Sequence, residues 1–488
     1  MEVGLIQGGG MAELAALTAE SERYESQVQQ SDFYKAVQAG YGTDHATLVG
    51  GAALRRESLE ASLITTVQQN KHFVFWNRVP KGKATATVDE FSRHTDIGGV
   101  QGSSANGELD EIPENTGVYD RQTALVKFLM DRRRVSVVAE VQSRNGLASA
   151  IARETNNGTK KLLTDANWLS YYGNSACVAA EFDGLVKIME GVGGDHVYDM
   201  AGSSITANAK EFIDSAQLIW GQGNWGRATD YFCSPAIQTD LDQKLDPAHR
   251  VVLDNRAQDI RLGAPVRGIH TNFGDITTNI DPFVQEGQKP YVVRGTVYAA
   301  LVGTAVAPAS VAGVAAPTAG SKFLTAHAGG YYYAAEGRKQ GGGCSALVVS
   351  GQVAVAKGDG VTVTITHGAA NDATAFQLYR NNTDGGNTNS DFREMVRLAA
   401  ANAATTIYVD LNQNIPGTSI IMVMTMVDDA VTMQRLMDMT RFPLYPTTRA
   451  EHLWAQLLFC YLRVAKPNQH RLLKNALPSS ASWRPFNV

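Results

Sequence analysis

The chain lacks the marks by which most enzymes and most DNA readers are recognised. It has no Walker A loop: "GVAAPTAGSK" (313–322) ends in Gly-Ser-Lys, where a phosphate cradle needs Gly-Lys-Ser/Thr at a fixed offset. No G-x-G-x-x-G opens a βαβ unit, and neither H-E-x-x-H nor G-x-S-x-G occurs. Cysteine is scarce. Cys177, Cys233, Cys344 and Cys460 stand far apart with no C-x-x-C pair, which excludes a zinc ribbon and a disulfide scaffold. Positive charge is not in excess either: the formal net charge is −5, where a dedicated nucleic-acid binder carries a basic stripe. No run reaches the ~20 apolar residues of a membrane-spanning helix. The opening "MEVGLIQGGGMAELAAL" has no basic-then-apolar order of a signal peptide, so folding in a reducing cytoplasm, with no membrane partner, is expected.

Two polar groupings invite a metal reading: Asp195, His196 and Asp199 in "GGDHVYD", and His270 with Asp275. Isolated groups of this kind are ordinarily surface or hydrogen-bonded residues. No catalytic residue, no cofactor and no metal is therefore assigned, and the chain is expected not to be an enzyme.

What remains is architecture. A chain of 488 residues with 44% apolar and 19% charged residues has room for two to four ordered domains. Residues 1–60 are polar with weak helical periodicity and read as an arm. "SLEASLITTVQQNKHFVFWNRVP" (58–80) reads as a helix entering a strand, with a turn at Pro80. "KATATV" (83–88), "TALVKFLMD" (123–131) and "RVSVVAEV" (134–141) read as strands around a long polar tip. The tip is acidic, with Asp96, Glu108, Asp110, Glu111 and Glu114, and "DRRR" (131–134) is the one dense basic run. A hairpin of this length cannot bury both faces against its own domain, so a second copy of the chain is its expected neighbour.

In 147–172, Leu147, Ile151, Leu162, Ala166, Leu169 and Tyr172 fall near a 3.6-residue period, which predicts a long helix stopped at Gly173 and weakened at Asn157-Gly158. Between 181 and 300 the pattern is mixed α/β, including a helix in 234–245 with Ser234 as cap and Pro235 at its first position. "APASVAGVAAPTAGS" (307–321) has the composition of a linker. Strands then recur at 329–338, 345–350, 361–367, 374–381 and 405–411, the pattern of a small sandwich. "SIIMVMTM" and "HLWAQLLFCYLRVAKP" are too apolar to stand alone and should pack with the part before the sandwich, which makes the sandwich an insertion.

This order of parts resembles the major capsid protein of tailed bacteriophages, the Hong Kong 97-type fold that encapsulins share. "NKHFVFWNRVP" with the loop after it, "RNGLASAIARETNNGTKKLLTDANWLSYYGN", "FCSPAIQTDLDQ" and "PNQHRLLKNA" carry the likeness, and "GGYYYAA", "AFQLYRN" and "IYVDLNQNIPGTS" resemble an immunoglobulin/fibronectin-like insert of some subfamilies. The resemblance implies an α+β chain divided as follows. The N-terminal arm is 1–60, and the extended loop with flanking strands is 61–137. The peripheral domain with its spine helix is 138–180. The axial domain and return strands are 181–306, the inserted sandwich is 307–415, and the rest of the capsid core is 416–488. It implies self-assembly as pentamers and hexamers into an icosahedral shell around double-stranded DNA, held without sequence-specific binding. Portal, scaffolding and decoration proteins are the implied partners, and the virion, after assembly in the host cytoplasm, is the implied location. The assembly contacts expected from charge are Glu108, Asp110, Glu111 and Glu114 against Arg132, Arg133 and Arg134 of a neighbour. An encapsulin-like cargo shell, a phage adhesion protein and an α/β enzyme are the alternatives.

Overall fold

The computed structural model describes residues 69–109, 111–112, 114–143, 149–206, 209–244, 266–291, 304–340, 343–445 and 449–486. The expected arm (1–60) and Asp110 lie outside them. The chain enters through a short helix α1 (Val74–Arg78), where the sequence suggested a strand, and through β1 (Lys81–Lys83). Strands β2 (Val88–Asp96) and β3 (Val118–Leu125) form the long hairpin, so its first strand begins where "KATATV" ends. β4 (Lys127–Ser136) follows. The expected strand over 134–141 breaks at Ser136, whose Oγ accepts a hydrogen bond from the Ala139 amide at 3.1 Å. That cap turns the valines that follow into helix α2 (Val137–Ser143).

The long helix α3 spans Ala150–Tyr172, about 35 Å at 1.5 Å per residue. Ser149 caps it, accepting from the Ala152 amide. Gly158 is not a weak point. A Cβ there would lie 2.0 Å from Gln456 Oε1, so the glycine is what lets a crossing strand approach. After α3 come α4 (Leu185–Val192), β5 (Val197–Asp199), α5 (Lys210–Trp220), β6 (Asp230–Cys233) and α6 (Pro235–Lys244). Pro235 is the first helical residue as expected. Ser234 does not cap it, however: its Oγ is buried and has no hydrogen-bond partner among the described residues. β7 (Gly268–Thr271) and β8 (Gly274–Ile280) close this part.

Residues 304–415 are almost wholly β. The strands are β9 (Ser310–Pro317), β10 (Gly329–Tyr331), β11 (Tyr333–Arg338), β12 (Val348–Val349), β13 (Val353–Val355), β14 (Asp359–Thr366), β15 (Ala375–Arg380), β16 (Arg393–Ala399) and β17 (Thr405–Asp410). The presumed linker is thus largely a strand. All eight residues of β9 pair with β14, and its small residues reflect tight packing: a Cβ on Gly313 would strike Val353. β17-β14-β9 form one sheet and β12-β11-β15-β16 the other. Tyr331, Tyr333, Phe376 and Leu378 fill the space between them. Inside this core Arg380 and Asp410 form a fully buried ion pair at 2.6 Å, and Tyr333 Oη donates to the same carboxylate. Burial drives the Tyr333 hydroxyl pKa well up, with the Asp410 charge adding to the shift.

The chain returns through β18 (Ser419–Met424), β19 (Val431–Leu444), β20 (Glu451–Val464) and β21 (His470–Ala476). β18 is buried on both faces and explains "SIIMVMTM". Ile421 and Val423 meet Phe212, Ile219 and Ile237, while Met422 and Met424 meet Phe75, Leu162 and Tyr171. The main sheet runs β5-β21-β18-β6-β8-β7, so the 304–415 segment leaves after one strand of this sheet and re-enters at another. A second sheet, β1-β19-β20-β4, carries α3 on one face. Asp281 ties these parts together. Its buried carboxylate accepts from the Phe75 amide (3.1 Å), Asn167 Nδ2 (3.0 Å) and Tyr171 Oη (2.9 Å), and burial raises its pKa. Finally, residues 478–486 cross to the insert. Trp483 sits on Gly417 (φ +80°), where a Cβ would lie 2.3 Å from its ring, and is covered by Arg393 at 4.8 Å. Phe486 stacks on His327 at 3.7 Å.

Candidate assembly surface

Two surfaces of this fold carry apolar groups that the described residues do not cover. The first is the hairpin. Among the described residues β2 and β3 pair only with each other, and a two-stranded ribbon is marginal in water. Its root is anchored: Asp89 accepts from Tyr461 Oη, and the Arg463 guanidinium lies 5.6 Å above the Phe91 ring. Farther out, Arg93 bonds Asp120 at 2.7 Å and holds that carboxyl below its ordinary pKa, with Gln122 assisting. His94 stacks on Tyr119 at 4.7 Å. Beyond that point the described residues of the ribbon are nearly all exposed. Leu109 is 97% exposed, Ile97 and Ile112 are 83% exposed, and Val100 is 79% exposed. These four aliphatic residues stand among the expected acids. Glu108, Glu111 and Glu114 are exposed, and among the described residues none has a side-chain partner. The tip is therefore apolar as well as acidic. Counting Ile97, Val100, Leu109 and Ile112 in the sequence was the signal available for this.

The second surface is the face of the β1-β19-β20-β4 sheet turned away from α3. Strand alternation sorts the arginine run onto two sides. Arg133 points to α3 and is already engaged, with Asp131 at 2.6 Å and Glu154 at 3.2 Å. Its guanidinium thus already has intrachain partners, unlike those of its two neighbours in the run. Arg132 and Arg134 point outward, are exposed, and have no ion pair or side-chain hydrogen bond among the described residues. Phe128 and Met130 share their face, at 47% and 64% exposure. Across the register lie half-buried Leu457 and Phe459 of β20, and Phe442 of β19 is exposed next to Ala455. The hairpin root covers only the Tyr461–Arg463 end of β20. Among the described residues no bond joins Glu108, Glu111 or Glu114 to Arg132, Arg133 or Arg134.

The groups that suggested a metal separate. His196 Nδ1 faces the His470 carbonyl at 3.1 Å, Asp199 accepts from Asn475 and Lys322, and His270 bonds Asp275 at 3.0 Å on the exposed β7–β8 turn. Among the described residues no three His, Cys, Asp or Glu side chains gather as metal ligands.

No family model matches the chain. It is similar to a candidate major capsid protein of Enterococcus phage phiEF24C, with 26% identity over 264 residues. That match takes in 52% of this chain and 54% of the relative. The major capsid protein of Staphylococcus phage K is 22% identical over 257 residues, 51% of this chain and 53% of the relative. The chain thus spans about half the length of the curated relatives it matches. Among solved structures, the capsid of a native GTA particle superposes with a TM-score of 0.44 at 11% identity, over 89% of this chain and 99% of that one.

Proposed function

We propose that the chain is the building block of a closed protein shell, a major capsid protein of a tailed phage with the Hong Kong 97-type fold. The observation that carries the reading is the β2–β3 hairpin, whose apolar tip no described part of its own chain covers. The sequence similarity to phage capsid proteins over half the chain supports it. In this reading the hairpin is the extended loop, α3 the spine helix, the β5-β21-β18-β6-β8-β7 sheet the axial core, and 307–415 the insert. Subunits meet as pentamers and hexamers in an icosahedral shell that encloses double-stranded DNA without reading its sequence. The virion is the site of action, after assembly in the host cytoplasm, and portal, scaffolding and decoration proteins are the partners.

The hairpin tip of one copy lies on the outward face of the β1-β19-β20-β4 sheet of the next. Leu109 and Ile112 cover Phe128, Met130 and Phe442, and Glu108, Glu111 and Glu114 approach Arg132 and Arg134. Magnitudes decide which part dominates. Burying an exposed aliphatic side chain contributes about 1.5–3 kcal/mol, whereas an exposed ion pair contributes about 0–1 kcal/mol. The apolar tip therefore supplies most of the contact, and the charges set its register. Negative-stain microscopy of the purified full chain tests the reading. Uniform polyhedral shells are expected, and monodisperse monomers at high concentration overturn it.

A further inference from the structure

The two sheets of the insert face different surroundings. The β12-β11-β15-β16 sheet rests on the rest of the chain: Arg397 bonds Glu181 at 2.5 Å, Cys177 Sγ reaches the Arg397 carbonyl at 3.3 Å, and Glu394 accepts from Gln285. The β17-β14-β9 sheet turns its outer side away from this contact. Register places Val314, Thr362 and Val409 in one row across that side, and Ala312, Thr364 and Ile407 in the next. The row beyond adds only serine and threonine. Val314 is 66% exposed and Ile407 61%.

No position on this face is charged and none is aromatic. The chain as a whole is 19% charged, so one or two charges would be expected among these nine positions. The absences narrow the occupant. Without Lys or Arg the face holds no phosphate or nucleic acid, and without an aromatic ring it offers no stacking platform for a sugar or base. A flat, β-branched, uncharged surface fits another of the same kind. β9 adds a second sign. It is the terminal strand of its sheet, eight residues in unbroken register, with no charge, no bulge and no proline before its last residue, so its own sequence carries none of the devices that blunt a sheet edge.

We infer that the outer face of the β17-β14-β9 sheet is a self-contact, met by the same face of the insert on a neighbouring copy. The inference rests on the shell reading above. An uncharged face can meet itself about a two-fold axis without like-charge repulsion, which the acidic hairpin tip cannot do. Its area fixes when the contact forms. Three strands about 4.8 Å apart and three outward residues long cover on the order of 300 Å², under half of the ~800 Å² per partner of a stable interface. Free subunits therefore do not dimerise through it. It closes where the shell holds two inserts at high effective concentration.

Thr362→Cys, at the centre of the face, tests this. Oxidised shells are expected to give disulfide-linked dimers as the main species on a non-reducing gel. Unassembled subunits of the variant are expected to give none, and neither are wild-type shells, whose Cys177 and Cys344 are only half-exposed. Ile407→Lys is expected to lower the dissociation temperature of the shell and leave the melting of unassembled subunits unchanged. If shells form and Thr362→Cys stays monomeric in them, the self-contact is overturned while the shell reading stands. Protection of the introduced thiol by a separate bound protein overturns it in the same way. If no shells form, the shell reading fails and takes the self-contact with it.

Discussion

In the insert, β15 is buried along its whole length; in the hairpin, neither β2 nor β3 has a single buried residue. Both are regular antiparallel structure with good pairing, so hydrogen-bond geometry does not separate them. What separates them is where the side chains go. The insert closes two sheets around its own aromatic core and places a charged pair inside it. The hairpin carries aliphatic residues on a ribbon with no second layer. A segment of the first kind carries its own core, and one of the second kind shows none among the described residues.

The contrast can be attacked from its strongest side first. Arg380→Ala leaves Asp410 charged and unpaired in the sandwich, which costs about 3–5 kcal/mol. Calorimetry should then show the insert melting ahead of the rest of the chain, and a single unshifted transition would show that the pair does not hold the insert. Acid acts on the host by a different route. His470 is fully buried, and burial, with His196 nearby, brings its pKa down from 6.5 to about 3. The unfolded chain therefore takes up a proton near pH 6.5 that the folded chain refuses until about pH 3. This contribution is fully present above pH 6.5 and is lost at about 1.4 kcal/mol per unit as pH falls through that window. Urea midpoints at pH 7 and pH 5 should show the fall, and His470→Asn should flatten it.

The hairpin should behave in the opposite sense. Reversing Arg132 and Arg134 to Glu removes pairs of about 0–1 kcal/mol each, so subunit melting holds while assembly yield drops, and high salt narrows the gap. Unchanged yield at low salt would reject the pairing with Glu108, Glu111 and Glu114. The smallest effect on folding is expected at the tip. Leu109→Ser with Ile112→Ser should shift stability by less than about 0.5 kcal/mol and still lower shell yield. A large loss of subunit stability there would erase the distinction between the two regions.

The insert is legible as several short strands between turns, 374–381 among them, and the long helix as one period over many residues. Leu162, Ala166 and Leu169 mark the buried side of α3. The stretches that misled are those where local chemistry overrides pattern. Ser136 converts a valine-rich strand signal into a helix start with one hydrogen bond. β9 hides behind the alanines and glycine that close packing demands. At the candidate surface, the arginine run was legible as charge but not as two opposite sides, because the register that turns Arg133 inward comes from β20, more than three hundred residues away. The apolar tip escaped notice because four aliphatic residues are diluted among glycines, serines and acids.

The crossing of residues 478–486 sets an order on biogenesis. The sandwich leaves the ribosome complete well before Trp483 and Phe486 exist, and its docking onto Gly417 and His327 waits for them. A nascent subunit thus holds its sandwich through earlier contacts such as Arg397–Glu181 and Gln285–Glu394, and the two aromatic rings add a second clasp once they are made.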